Sequence, residues 1–232
     1  MTSVIFFIYA LAHLSTALFA LRILRRYSAP GALIIAALSL ALIWDNGLVS
    51  VGSFIGVGET LKLLSWPRFI LHALITPLMV VAIAQVAAAG GIQWLTTGAG
   101  KTITWLMTAA LVGYGIYELW IMELQPACYA GTVRYTTSAS AIQYCFEGQE
   151  TLPGVGPPIA SILAVFLIMG FGGVLWKRHG WPWFSLGGLQ MLLAAGVPFS
   201  LLGLVPANGG EVLLQFAFVA TAYRFSSGWK TT

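Results

Sequence analysis

The chain has 232 residues, 59% of them hydrophobic and 8% charged, with a formal net charge of +4 and a mean hydropathy of +0.88. A soluble domain carries about 25% charged residues, so the composition excludes one and indicates a polytopic membrane protein. In such a protein basic residues record orientation in the bilayer, and the positive balance is no signal for nucleic acid.

A crossing needs about 20 apolar residues, which gives an all-α, single-domain chain (1–232) of seven transmembrane helices. The first span is predicted from Val4 to Leu24; no positive segment precedes it, which argues against a cleaved signal peptide. The second runs from Ala32 to Val51, and the third follows Trp66-Pro67-Arg68 and runs to Ala89. Between them, Glu59 to Trp66 reads as a separate short helix lying at the membrane surface. The fourth span covers Thr102 to Met122, the fifth Pro158 to Trp176, the sixth Pro182 to Leu204 and the seventh Glu211 to Phe225. Of the basic residues, Arg22, Arg25, Arg26, Lys101, Lys177, Arg178, Arg224 and Lys230 fall on one side, and Lys62, Arg68 and Arg134 on the other. The richer side is cytoplasmic, so the N-terminus is expected outside and the C-terminus inside, in a multi-pass protein of a prokaryotic plasma membrane.

That orientation puts the long loop 123–157, with both cysteines, on the oxidising side. Cys128 and Cys145 are expected to pair there, contributing about 3 kcal/mol in the chain-entropy model; the alternative is two unpaired surface thiols. The stretch from Tyr129 to Thr137 alternates as a short hairpin lid would.

Asp45 is the single aspartate and sits inside an apolar run. A carboxylate in hydrocarbon costs about 2.5–3.5 kcal/mol on insertion scales, so it needs a partner or a task. With the predicted topology, His13, Asp45, His72, Glu118 and Glu211 all fall in the outer half, with Gln215 one turn below Glu211. Each has a purely architectural reading. Glu211 follows Asn208-Gly209-Gly210 and would suit a helix N-terminus, where the macrodipole favours a carboxylate. His72, near Pro77, would satisfy backbone freed by a proline kink.

The lysines (62, 101, 177 and 230) lie at span ends or in loops, so a retinal Schiff base is disfavoured. No His-x-x-x-His spacing supports a zinc hydrolase, and no motif calls for a metal or cofactor. What remains is acid beside aromatic surface: Asp45, Glu211, Glu118 and His72 as candidate catalytic groups, and Trp44, Asn46, Tyr114, Tyr117, Phe199 and Phe216 as candidate substrate-binding groups. A buried carboxyl group can donate a proton and ring faces stabilise cations by about 0.5–2 kcal/mol, which suits protonation-initiated cyclisation of an isoprenoid.

Trp44-Asp45 in the second span and Glu211 early in the last resemble the Trp-Glu pair and second acid of the small seven-helix integral membrane terpene cyclases of fungal meroterpenoid and indole-diterpene pathways. The resemblance implies Asp45 as proton donor with Glu211 as partner, and a lipid-soluble substrate met within the membrane lipids. The chain departs from that pattern in Asp for Glu, in its cysteine-bearing loop and in His72. The same acids would also serve a proton- or solute-binding transporter, although a nearly bare inner half leans against a path through the membrane. Oligomeric state is not legible in the sequence.

Overall fold

A computed structural model describes residues 1–137 and 144–226; Lys230, used above for orientation, lies outside them. The chain is mostly helical: α1 (Thr2–Tyr27), α2 (Ala32–Ile55), α3 (Glu59–Ile75), α4 (Met79–Ala89), α5 (Gly98–Ile121), α6 (Ile159–His179), α7 (Trp183–Ala195), the single turn α8 (Phe199–Leu202) and α9 (Val205–Arg224). Strands β1 (Gln125–Tyr129) and β2 (Thr132–Thr136) form one antiparallel hairpin between α5 and α6.

Among the described residues, four stretches are long and apolar enough to cross a membrane: α1, α2, the joined run Glu59–Ala89 and α6. Three boundaries differ from expectation. Glu59–Trp66 is no separate surface helix; it continues through Pro67 into α3, and a 3-10 turn at Thr76–Leu78 leads on into α4. The 31-residue run is about 46 Å long, more than the roughly 30 Å hydrocarbon layer, so its first turns can stand at the interface without a break. The predicted sixth span is interrupted: α7 has 13 residues, and Gly196-Val197-Pro198 stops it because proline removes a helical donor and restrains the residue before it. The last helix starts at Val205, with Pro206 in its first turn, and not at Glu211. Glu211 therefore lies beyond the first turn, where the macrodipole effect has fallen away, and its helix-terminus rationale is withdrawn.

Pro77 has no N–H for the carbonyl of Ala73, the kink anticipated near His72. That carbonyl faces α5 at Gly115, where a Cβ would come within 2.7 Å of it. Small residues likewise let α6 and α7 close on each other, since a Cβ on Gly172 would meet Ser185 backbone nitrogen at 2.4 Å. The main core joins α1, α2, α4, α6, α7 and α9 through Ile23, Ile35, Ile83, Ile168, Leu175, Phe184 and Phe218.

The hairpin lies across one end of this bundle. Its turn, Ala130-Gly131, has positive φ at both residues (49° and 81°), the mirror-image turn that matches strand twist. Gly52 of α2 admits the strand, for a Cβ there would stand 1.9 Å from the Val133 carbonyl oxygen. Cys128 and Cys145 are disulfide-bonded, Gln149 donates to the Pro126 carbonyl, and the Tyr129 hydroxyl donates to the Leu201 carbonyl at 3.1 Å. The lid expected from sequence is thus a hairpin tied down on both flanks.

Candidate functional site

Beneath the hairpin two cavities share Asp45, Arg68 and His72. The inner one, about 60 Å³, adds Thr76, Ser161, Glu211 and Gln215 from α9 and neighbouring helices. The outer one, about 590 Å³, runs toward α5 and the segment before α6, past Phe69, Leu119, Met122 and Val155 to Glu118.

Helical spacing assembles this cluster. Arg68, His72 and Thr76 are four apart and form one stripe along α3 and the 3-10 turn after it. Arg68 Nε donates to Asp45 Oδ1 in an ion pair, and its Nη1 donates to the Tyr135 carbonyl at 3.2 Å, linking the acid to the hairpin. His72 Nδ1 lies 3.3 Å from the Thr76 hydroxyl and its Nε2 3.3 Å from the Ser161 hydroxyl, which fixes the ring from both sides. On the other wall, Asn208 Nδ2 donates to Asn46 Oδ1 at 3.1 Å, locking α9 against α2 in buried surroundings. Glu211 follows Asn208 by three residues, so this bond sets the level at which Glu211 meets the cavity.

Burial and the nearby Arg68 charge pull the Arg134 guanidinium of β2 down to about 9, and the face of Phe199 lies 5.4 Å from it. Among the described residues, Glu211 Oε2, Glu118 Oε1 and Gln215 Oε1 are buried atoms without a hydrogen-bond partner of their own. His13 of α1 is fully buried, with neither ring nitrogen bonded, and lines neither cavity.

Asp45, His72 and Glu211 meet at the inner cavity, and Glu118 lines the outer one with Asp45 and His72. Tyr114 stands beside it: a Cβ on Gly156 would be 3.1 Å from its hydroxyl and 3.9 Å from Glu118 Oε1. The other aromatic candidates are elsewhere. Trp44 is exposed and its indole N–H donates to the Leu64 carbonyl. Tyr117 is exposed, Phe216 faces an outer groove with Trp181 and Trp183, and Phe199 packs on Tyr129. Asn46 is a contact between helices and not part of the cavity wall. The reason is common to Trp44, Asn46, Tyr117 and Phe216: each is next in sequence to a cavity residue, and successive helical side chains point about 100° apart.

Sequence reading treated Arg68 as a marker of orientation and missed it as Asp45's partner. Its spacing of four from His72 was the signal. Ser161 carried none, being one serine in the first turn of α6. Among the described residues no group of three His, Cys, Asp or Glu side chains could hold a metal ion. No protein-family model, curated protein or solved structure matches the chain.

Proposed function

We propose that this protein is a membrane-embedded enzyme that protonates a lipid-soluble isoprenoid and guides its cyclisation. The observation that carries the reading is that Asp45 and Glu211, acids from opposite ends of the chain, line one small cavity. That cavity adjoins a larger one walled mostly by apolar side chains, of a size that holds a lipid-like substrate. The roles of the acids are reassigned. Asp45 is compensated by Arg68 and serves as a fixed negative charge near a developing cation. Glu211 has no ion-pair partner among the described residues and is the group we assign to give up the proton. His72, held by Thr76 and Ser161, is placed to take a proton back at the end of the reaction.

In the same proposal the bundle crosses a prokaryotic plasma membrane seven times, with α5, the broken α7–α8 pair and α9 completing the four apolar stretches. The hairpin end then faces outward with the N-terminus, and the C-terminus is cytoplasmic. The distribution of Arg22, Arg25, Arg26, Lys101, Lys177 and Arg178 at the opposite end supports this orientation.

Lipid extracts of cells with and without the protein, compared without preselection, test the reading. A cyclised isoprenoid that depends on the protein is expected, and Glu211→Gln should lower its formation by about 10²–10⁴-fold while leaving a folded protein. Unchanged product with Glu211→Gln, or no isoprenoid difference between the extracts, would overturn it.

A further inference from the structure

The polar groups of the two cavities are unbalanced in kind. Among the described residues, Glu211 Oε2 and Gln215 Oε1 in the inner cavity are acceptors without a donor, whereas the Glu118 carboxylate in the outer one receives the Tyr114 hydroxyl. The guanidinium at their junction is engaged, since Arg68 donates to Asp45 and to the Tyr135 carbonyl. The His72 nitrogens are engaged with the Thr76 and Ser161 hydroxyls. Gln215 is 2% exposed, so its free oxygen is no surface group in contact with bulk water. A buried acceptor left unpaired costs about 1–3 kcal/mol, and an uncompensated carboxylate costs more. Water could bridge the oxygens but would bring no charge.

We infer that the two adjoining cavities, which share Asp45, Arg68 and His72, together form a binding site for an amphiphilic primary ammonium. Its head sits in the inner cavity between Glu211, Gln215 and Asp45, and its alkyl chain lies along Phe69, Leu119, Met122 and Val155. An –NH₃⁺ group offers three N–H donors and one positive charge; an amine that enters neutral takes the Glu211 proton, becoming that group and leaving the Glu211 carboxylate as its counter-ion. A trimethylated head carries the charge but no N–H, so it leaves these acceptors without a donor. Three carboxyl groups against one engaged guanidinium reject an anionic head, and a hydroxyl head would leave the charge unmatched. The site goes beyond the cyclisation reading, because such an amine would bind whether or not an isoprenoid reacts there.

The test uses the full chain in phosphatidylcholine nanodiscs, with empty nanodiscs as reference, titrated with decylamine, decan-1-ol, decanoate and decyltrimethylammonium. Saturable binding of one decylamine per chain is expected, at least tenfold tighter than decan-1-ol, with decyltrimethylammonium weaker and decanoate not saturable. Glu211→Gln should weaken decylamine at least tenfold, and Gln215→Leu several-fold. Uptake equal to that of empty nanodiscs, or equal affinity for amine and alcohol, would overturn the site. So would unchanged amine affinity in Gln215→Leu, which decides the matter where Glu211→Gln does not fold. Selective amine binding by a protein that yields no cyclised isoprenoid would leave this site standing and remove the cyclase reading.

Discussion

The two ends of the bundle solve the burial of polar groups in opposite ways. At the end away from the hairpin the interior is mostly hydrocarbon: Ile168, Leu175, Phe184 and Phe218 are fully buried in one apolar cluster. Its buried polar groups, such as Ser39 and Thr221, are uncharged, and ionisable ones stand at the rim, where Arg178 Nη1 donates to the Gly91 carbonyl at 2.9 Å and His179 Nε2 to the Gly90 carbonyl at 2.8 Å. At the hairpin end the interior holds Asp45, Arg68, His72, Glu211 and Gln215, and a covalently tied hairpin covers them. The difference teaches that packing alone keeps the first end together, whereas the second needs specific partners and leaves some of its acceptors without any. Where such groups line a cavity, a ligand of matching chemistry can satisfy them.

The contrast can be broken from either side. The largest loss of stability is expected from Phe218→Ala, which opens a void in the apolar half and should cost about 3–5 kcal/mol by thermal or denaturant unfolding. Product formation per folded molecule should be unchanged, because the residue lies outside both cavities. If Phe218→Ala lowers specific product formation at full folding, the two ends are coupled more tightly than the packing implies.

Next comes the ion pair. Arg68→Leu strips Asp45 of its partner and should destabilise by about 3 kcal/mol, and Asp45→Asn should likewise strand the guanidinium. The double variant Asp45→Leu with Arg68→Leu should recover much of that loss, since no buried charge is then left alone. A double variant no more stable than the worse single one would show that Arg68 acts through the Tyr135 carbonyl rather than through Asp45.

Reducing the Cys128–Cys145 disulfide should cost up to about 3 kcal/mol, for a sequence separation of 17 residues, and the loss should be local. Hydrogen exchange should rise in β1, β2 and the 144–155 segment, while α4, α6 and α7 stay protected. Equal acceleration throughout would contradict the view of the hairpin as a tied cover. The smallest effect, about 1 kcal/mol or less, is expected from Arg178→Ala, because its bond to Gly91 is exposed and water replaces it. A larger effect would mean that the rim of the apolar end is as structural as its interior.

Composition and hydropathy alone determined that the chain is mostly helical, with apolar runs long enough to span a membrane, because hydrocarbon demands internally satisfied backbone over such runs. The hairpin and the disulfide were also legible, the one from alternation and a glycine turn, the other from two cysteines in one polar loop. The rank of Asp45 as a central group followed from the expense of a lone carboxylate among apolar residues. Only the tertiary structure decided what surrounds it. Sequence neighbours on a helix diverge, so Trp44 and Asn46 left the site that their proximity suggested. Arg68 and Glu211 entered it from α3 and α9, because the Pro77 kink and the Asn46–Asn208 bond fix how those helices face α2. Pairing between distant helices depends on rotation and level in the bundle, and a one-dimensional pattern of apolar residues specifies the buried face of each helix but not its partner.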